Sequence, residues 1–193
     1  MSDAERHKWD ERYRDGAYEG RTHPTALVAA WVPFLPRGAA LDVACGAGRN
    51  ALFLAGSGFA VTALDISAVA LNRGRRAAAD RGLAIDFREA DFDRPHELAP
   101  SSYDLIVWIR YVNRALLPHL IERVRPGGHL ICEQHVDTTA EVAGPRSREF
   151  RLRAGELREA ARGMSVRHYS EGLVVDPDGR TVALAQLVAR ATG

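Results

Sequence analysis

Few folds accept the stretch Ala39-Ala-Leu-Asp-Val-Ala-Cys-Gly-Ala-Gly-Arg-Asn-Ala-Leu-Phe-Leu-Ala55. A short apolar run ending at Ala44 gives way to small residues around Gly46 and Gly48. Ala51, Leu52, Leu54 and Ala55 then recur at helical spacing. The pattern predicts a buried strand, a tight turn and a helix. Glycine suits such a turn because the chain reverses with no Cβ in the way, and because a ligand can then lie against backbone amides at a helix N-terminus. The turn is a candidate nucleotide cradle.

The acids around the turn bear on which nucleotide it suits. A dinucleotide presents its pyrophosphate to the helix start, and an acidic side chain just before the glycines would repel it. Asp42 stands four residues before Gly46, which suits a ligand whose nearby end carries an ammonium or sulfonium charge. Asp65 follows nineteen positions after Gly46, closing the apolar run Phe59-Ala-Val-Thr-Ala-Leu64. An acid at a second strand's tip accepts from both ribose hydroxyls, which serves either ligand.

Along the rest of the chain the elements alternate. Residues 3–14 carry Trp9 and Tyr13 at helical spacing, and Asp15 to Pro24 reads as a loop by its glycines and proline. A helix is predicted over 25–34, ending before Pro36-Arg-Gly38. Ser67 is an N-cap for a helix running to Arg81 and stopped by Gly82, with Arg73, Arg75, Arg76 and Arg81 as its wet outer face. Ala84 to Glu89 alternates as a third strand and delivers Asp91 and Phe92 at its tip. The Asp91 carboxylate and the Phe92 amide would supply the acceptor and the donor that an adenine edge needs; a turn-forming Asp is the competing reading. Ser102 to Ile109 is a fourth strand. A helix carries Leu116, Leu117, Leu120, Ile121 and Val124, and Pro126-Gly-Gly128 ends it before strand five at His129 to Gln134.

Repeated strand-then-helix units imply right-handed crossovers and a parallel sheet covered on both faces. After an aperiodic stretch from Asp137 to Phe150 and a helix over 154–161, Met164 to Tyr169 and Thr181 to Ala189 flank the turn Asp176-Pro-Asp-Gly179, which predicts an antiparallel return. The expected class is therefore α/β, a doubly wound, mostly parallel seven-stranded sheet with an antiparallel C-terminal hairpin. Residues 1–24 are expected to form an N-terminal helix and lid segment, the competing reading of Trp9, Tyr13 and His23 being a helix stapled to the domain with a solvated loop, and 25–193 the rest of a single domain. Ligands bind where strand C-termini open into a crevice. That places Gly46, Asp65, Asp91, Arg110, Tyr111 and His135 along one rim.

With 193 residues and 46% hydrophobic content the chain supports one well-buried core. Its 26 basic and 25 acidic side chains leave a formal charge of +1, so no global field recruits nucleic acid or anionic lipid. The polar N-terminus lacks a signal-peptide core, and no apolar run approaches the ~18 residues that span a bilayer. A soluble, cytoplasmic protein is expected. Cys45 and Cys132 offer no metal-ligand spacing, so no metal is expected.

Three motifs, Leu41 to Asn50, Ala63-Leu-Asp-Ile-Ser67 and Arg88-Glu-Ala-Asp-Phe92, resemble successive motifs of class I S-adenosylmethionine-dependent methyltransferases. Tyr18-Glu-Gly-Arg-Thr-His23, Gly46-Ala-Gly-Arg-Asn50 and Phe150 to Leu157 further resemble the small tellurite-resistance, TehB-type branch. The resemblance implies S-adenosyl-L-methionine as cofactor, held by Asp42, Gly46, Gly48 and Asn50, by Asp65 with Ile66, and by Asp91 with Phe92. It also implies an N-terminal lid, with Tyr13 closing the pocket and Arg21 or Thr22 near the cofactor's carboxylate. The partner would be a small-molecule methyl acceptor, such as a thiol or a chalcogen oxyanion, and the protein a monomer or homodimer.

Arg110 and Tyr111, at the tip of strand four, are expected to contact the acceptor. His135 would be a proton acceptor, with Arg146, Arg148 or Arg151 lending positive potential. The competing reading is that Arg110 pairs with an acid and the later arginines are solvated. The final hairpin departs from the TehB branch, with Leu173-Val-Val175 where that branch carries a polar His-Arg pair. Two other functions remain open: an NAD-linked oxidoreductase, resting on Gly46-x-Gly48 and Asp65, and a catalytically idle cofactor-binding protein.

Overall fold

Near-continuous apolar runs must be buried on both faces, and they form the central strands of the computed structural model, which describes residues 3–93 and 102–192. The strands are β1 (Ala39–Val43), β2 (Ala60–Asp65), β3 (Ile85–Glu89), β4 (Tyr103–Ile109), β5 (Val124–His135), β6 (Met164–Val175) and β7 (Thr181–Ala191). They make one sheet in the order β3-β2-β1-β4-β5-β7-β6. The first five run parallel, and β7 is antiparallel to both β5 and β6. The chain winds outward from β1 through β2 to β3, then returns to lay β4 on β1's other side. That reversal opens a crevice at the C-terminal ends of β1 and β4.

Among the described residues the helices α1 (Asp3–Arg14), α2 (Ala26–Trp31), α3 (Arg49–Gly56), α4 (Ala68–Ala79), α5 (Leu116–Ile121) and α6 (Glu156–Ala160) accompany the sheet. Side chains alternate along β4. Leu105, Val107 and Ile109 pack with Leu27 and Val28 of α2, Leu52 and Leu54 of α3 and Leu71 of α4. Ile106 and Trp108 pack on the opposite face with Leu116, Leu117 and Leu120 of α5 and Leu157 of α6. Each such buried aliphatic side chain contributes about 1.5–3 kcal/mol over its exposed state. No helix among the described residues is long and apolar enough to cross a membrane.

Several elements differ from the sequence reading. The helix expected over 25–34 is α-helical only to Trp31 and finishes as a 3-10 turn at Val32–Phe34, because Pro33 has no N–H to continue the ladder. Val124 belongs to β5, where it pairs with Tyr103, and Pro126-Gly-Gly128 absorbs a register shift inside the strand rather than ending a helix. β6 runs on to Val175, since β7 is long enough to pair with it throughout. On α4, Ser67 caps as expected, its Oγ accepting from the Ala70 N–H. Arg76 and Arg81 are exposed, but Arg73 is not merely solvated. It donates to the Tyr13 and Ala17 carbonyls at 2.5 and 3.1 Å and so straps the N-terminal segment to α4. Asp10 completes that seat by accepting from Ser67 Oγ at 2.6 Å and from the Val69 N–H at 3.2 Å.

Candidate functional site

The turn between β1 and α3 is built from three left-handed residues, Ala44 (φ 53), Gly46 (φ 57) and Gly48 (φ 78). Left-handed backbone costs a non-glycine residue roughly 1–2 kcal/mol, so Ala44 is strained where a ligand site is expected. The glycines are required for space as well. A Cβ on Gly46 would collide with the Tyr13 hydroxyl, and one on Gly48 would stand 2.9 Å from the Phe87 ring.

Asp65, 8% exposed, holds the turn from β2: its Oδ2 accepts from the Gly46 N–H at 2.8 Å and its Oδ1 from the Ser67 N–H at 2.9 Å. Burial raises its pKa against the lowering effect of those N–H groups. Each oxygen keeps a lone pair for a further donor.

Asp42 behaves differently from the expectation. It is 1% exposed and accepts from the Ala51 N–H at 2.9 Å, and burial pushes its pKa up to about 7. It anchors the first turn of α3 and does not line the cavity, so it is no direct partner for a cationic ligand. Asn50 is likewise turned away; its Oδ1 accepts from the Thr25 N–H at 2.8 Å, joining α2 to α3. Asp91 accepts from the Asp93 N–H at 3.0 Å, the turn-forming role, and also stays off the lining.

One cavity of about 660 Å³ opens at the C-terminal strand ends. Of the residues singled out from sequence, Tyr13, Arg21, Gly46, Asp65, Ile66, Phe92, Arg110, Tyr111 and His135 line it together, and Asp42, Gly48, Asn50 and Asp91 do not. Arg146 also lines it. Arg151 instead donates to the Pro145 and Val136 carbonyls as a loop clamp, while Arg148 is largely solvated beside Asp137. Sequence reasoning passed over Arg49, the residue after Gly48. It lines the cavity and donates to Thr25 Oγ1 at 3.1 Å. Burial, and then Arg110 and Arg21 nearby, work against its charge. Its place at the start of α3, between two cradle residues, was the available signal.

Arg110 sits at the tip of β4 in a left-handed conformation (φ 56). Its Nε donates to Glu133 at 2.8 Å, and its two terminal nitrogens donate to the Asp176 oxygens at 2.5 and 2.6 Å. Burial opposes its charge, but Asp176 and Glu133 outweigh it and raise its pKa. Pairing with acids is therefore what the structure shows. The network extends through Arg21, which donates to Asp178 at 3.3 Å, and through Arg180 to the same carboxylate. It joins the N-terminal loop to the β6–β7 turn.

Tyr111 packs its ring 5.5 Å from that of Phe92, and burial raises its pKa to about 12. His135, at the end of β5, is 7% exposed with Nδ1 unpartnered among the described residues. Burial, then Arg110 and Arg151, push its pKa down to about 4. A base that weak removes few protons at neutral pH; His135 is better suited to hydrogen bonding. No group of three or more His, Cys, Asp or Glu among the described residues is arranged to hold a metal ion.

The methyltransferase domain family matches residues 40–128, which span the cradle, Asp65, the β3 tip and β4. Among curated relatives, the ribosomal protein L11 methyltransferase of Symbiobacterium thermophilum is 35% identical over 121 residues, which is 60% of this chain but 39% of that protein. TehB from Haemophilus influenzae superposes with a TM-score of 0.76 at 23% identity, covering 95% of this chain and 67% of the other. Magnesium protoporphyrin IX methyltransferase (ChlM) from Synechocystis PCC 6803, with bound SAM, superposes with a TM-score of 0.63 at 20% identity over 86% of this chain and 76% of its own. These structural likenesses show the fold, and the domain match falls on the residues that build the cradle. Residues 40–128, just under half of the chain, thus resemble a methyltransferase domain, and the sheet has the fold of the TehB and ChlM structures.

Proposed function

We propose that the protein is an S-adenosyl-L-methionine-dependent methyltransferase acting on a small-molecule acceptor, a thiol or a chalcogen oxyanion. The observation that carries this reading is the convergence of the Gly46 turn, Asp65 and Phe92 in one cavity with Arg49 and Arg21. The residues present fit the cofactor. Gly46 leaves the backbone bare, Asp65 offers acceptor lone pairs to ribose hydroxyls, and Ile66 and Phe92 supply an apolar wall for adenine. Arg49 and Arg21 supply cations for the methionine carboxylate. Residues 1–24 act as the lid, with Tyr13 over Gly46.

When bound, the cofactor supplies a sulfonium methyl open to in-line displacement. The chain's own task is to hold the acceptor in line and to exclude water, a contribution of up to ~7–11 kcal/mol in well-oriented cases. A dinucleotide is disfavoured by Asp42: its carboxylate occupies the Ala51 N–H in the first turn of α3, and a pyrophosphate would need those amides free.

Titration calorimetry with S-adenosylhomocysteine and with NAD tests the reading. The first should bind and the second should not, and Asp65→Ala should weaken binding by roughly 10–100-fold, the loss of a hydrogen bond to a charged group. Binding of NAD alone, or of neither, overturns the reading.

A further inference from the structure

We infer that Gln186, on β7 and off the cavity wall, is a positioning residue: through Glu133 it holds the Arg110 guanidinium against the cofactor's amino-acid end. The inference rests on the cofactor reading above. Sheet register sets up a polar row behind Arg110. Glu133 of β5 lies directly across from Gln186 of β7, and Gln186 across from Ser170 of β6, so the three side chains share one face. The Ser170 hydroxyl donates to Gln186 Oε1 at 3.1 Å, the Gln186 amide donates to Glu133 Oε2 at 2.8 Å, and Glu133 Oε1 accepts from Arg110 Nε at 2.8 Å. Glu133 is 1% exposed, and Gln186 stands between the buried Ala185 and Leu187. Apolar side chains at these two positions would avoid the cost of burying a carboxylate and an amide.

Arg110 is held in a conformation it would not choose. Its backbone is left-handed (φ 56), and its N–H donates to the Glu133 carbonyl at 2.7 Å. A non-glycine residue keeps such a backbone only where its surroundings impose it, and such residues cluster at ligand sites. Pairing with acids does not exhaust the side chain. Of the five N–H groups of a guanidinium, Glu133 takes one and Asp176 two. One N–H on each terminal nitrogen is left without a partner among the described residues. Glu133 and Asp176 do not line the cavity, whereas Arg110 does, so the acids stand behind the cation that faces in.

Strand order says which end of the ligand meets Arg110. Ile66 and Phe92 put the adenine wall beyond β2 and β3, and Asp65 puts the ribose at the β2 tip. β1 and then β4 follow in the sheet. The rest of the ligand therefore runs over the Gly46 turn towards Arg110, two strand spacings or about 10 Å from Asp65. Arg49 flanks the same turn, and Arg110 and Arg21 add to the burial that works against its charge; a carboxylate at that corner relieves the crowding. Lys8, Arg12, Arg146 and Arg180 also line the cavity but are exposed, and water weakens the hold of an exposed charge. Of the lining acids, Asp65 serves the ribose and Glu5 sits in α1.

The test compares S-adenosylhomocysteine with methylthioadenosine, which keeps the adenosine and the sulfur but lacks the amino acid. Both are titrated into the intact protein by calorimetry, the weaker ligand by displacement. Gln186→Met keeps the length of the side chain and loses its amide. It should weaken S-adenosylhomocysteine by about five- to tenfold and leave methylthioadenosine within about twofold of wild type. Arg110→Lys keeps a cation for the two acids but not the fork, and should show the same selective loss. Adding Gln186→Met to Arg110→Lys should weaken binding no further, because a residue that acts through another is not additive with it. Equal losses for the two ligands, unchanged S-adenosylhomocysteine affinity in Gln186→Met, or additive losses in the double variant overturn the role of Gln186 and leave the cofactor reading standing. Failure of S-adenosylhomocysteine to bind the wild-type protein overturns the cofactor reading and this inference with it.

Discussion

Asp42 and His135 place opposite pH slopes in the same window. Asp42 is raised from 3.8 to about 7, so the folded state holds its proton more tightly than the unfolded state. Its contribution is fully present below pH 3.8 and is lost as pH rises to 7. His135 is lowered from 6.5 to about 4, so its contribution is present above 6.5 and is lost as pH falls to 4. The two offset one another in the wild type. Asp42→Asn keeps an oxygen for the Ala51 N–H but cannot ionise. It should leave stability rising from pH 4 to 7, whereas His135→Gln should leave it falling, each by on the order of 2–4 kcal/mol. Thermal unfolding of the three proteins across that range measures this, and parallel profiles would contradict it.

At the scale of the element, α1 is the part whose seat depends on few bonds. Arg73 holds the Tyr13 and Ala17 carbonyls, and each such hydrogen bond is worth about 1 kcal/mol net. Arg73→Ala should raise amide hydrogen exchange across residues 3–20 and speed release of S-adenosylhomocysteine, while exchange in β1, β4 and β5 stays slow. Uniformly faster exchange would mean that α1 is not an independent unit.

The same element marks the limit of what the sequence discloses. β1, β4 and the β6–β7 return were legible because an apolar run or a Pro-Asp-Gly turn decides its own conformation locally. So were the cradle glycines and Asp65, because spacing from a strand end fixes them. The directions of Asp42 and Asn50 were not legible, since each side chain answers to an N–H on another part of the fold. The partners of Arg73 lie 54 to 60 residues away and those of Arg110 23 to 66, beyond any local pattern.

Across the whole molecule, the Arg110 network binds the β4 tip, β5, the β6–β7 turn and the N-terminal loop into one unit. Arg110→Ala takes the guanidinium from Glu133 and Asp176, which are 1% and 8% exposed, and leaves them, among the described residues, only the Gln186 amide at 2.8 Å and Arg21 at 3.9 Å. Removing one partner of a buried pair costs about 3–5 kcal/mol. Urea unfolding should show a loss of that size, with part of it recovered when Asp176→Asn is added, because one carboxylate then no longer needs compensation. A loss below about 1 kcal/mol would class the network with solvated surface pairs.

The chain holds three tryptophans; Trp108 is sealed in the core and Trp31 stands beside His168. Trp9, its ring 6.5 Å from that of Tyr13, is alone among them in lining the cavity. The protein therefore carries a native optical reporter at its own doorway, and occupancy is readable from indole emission with no dye attached.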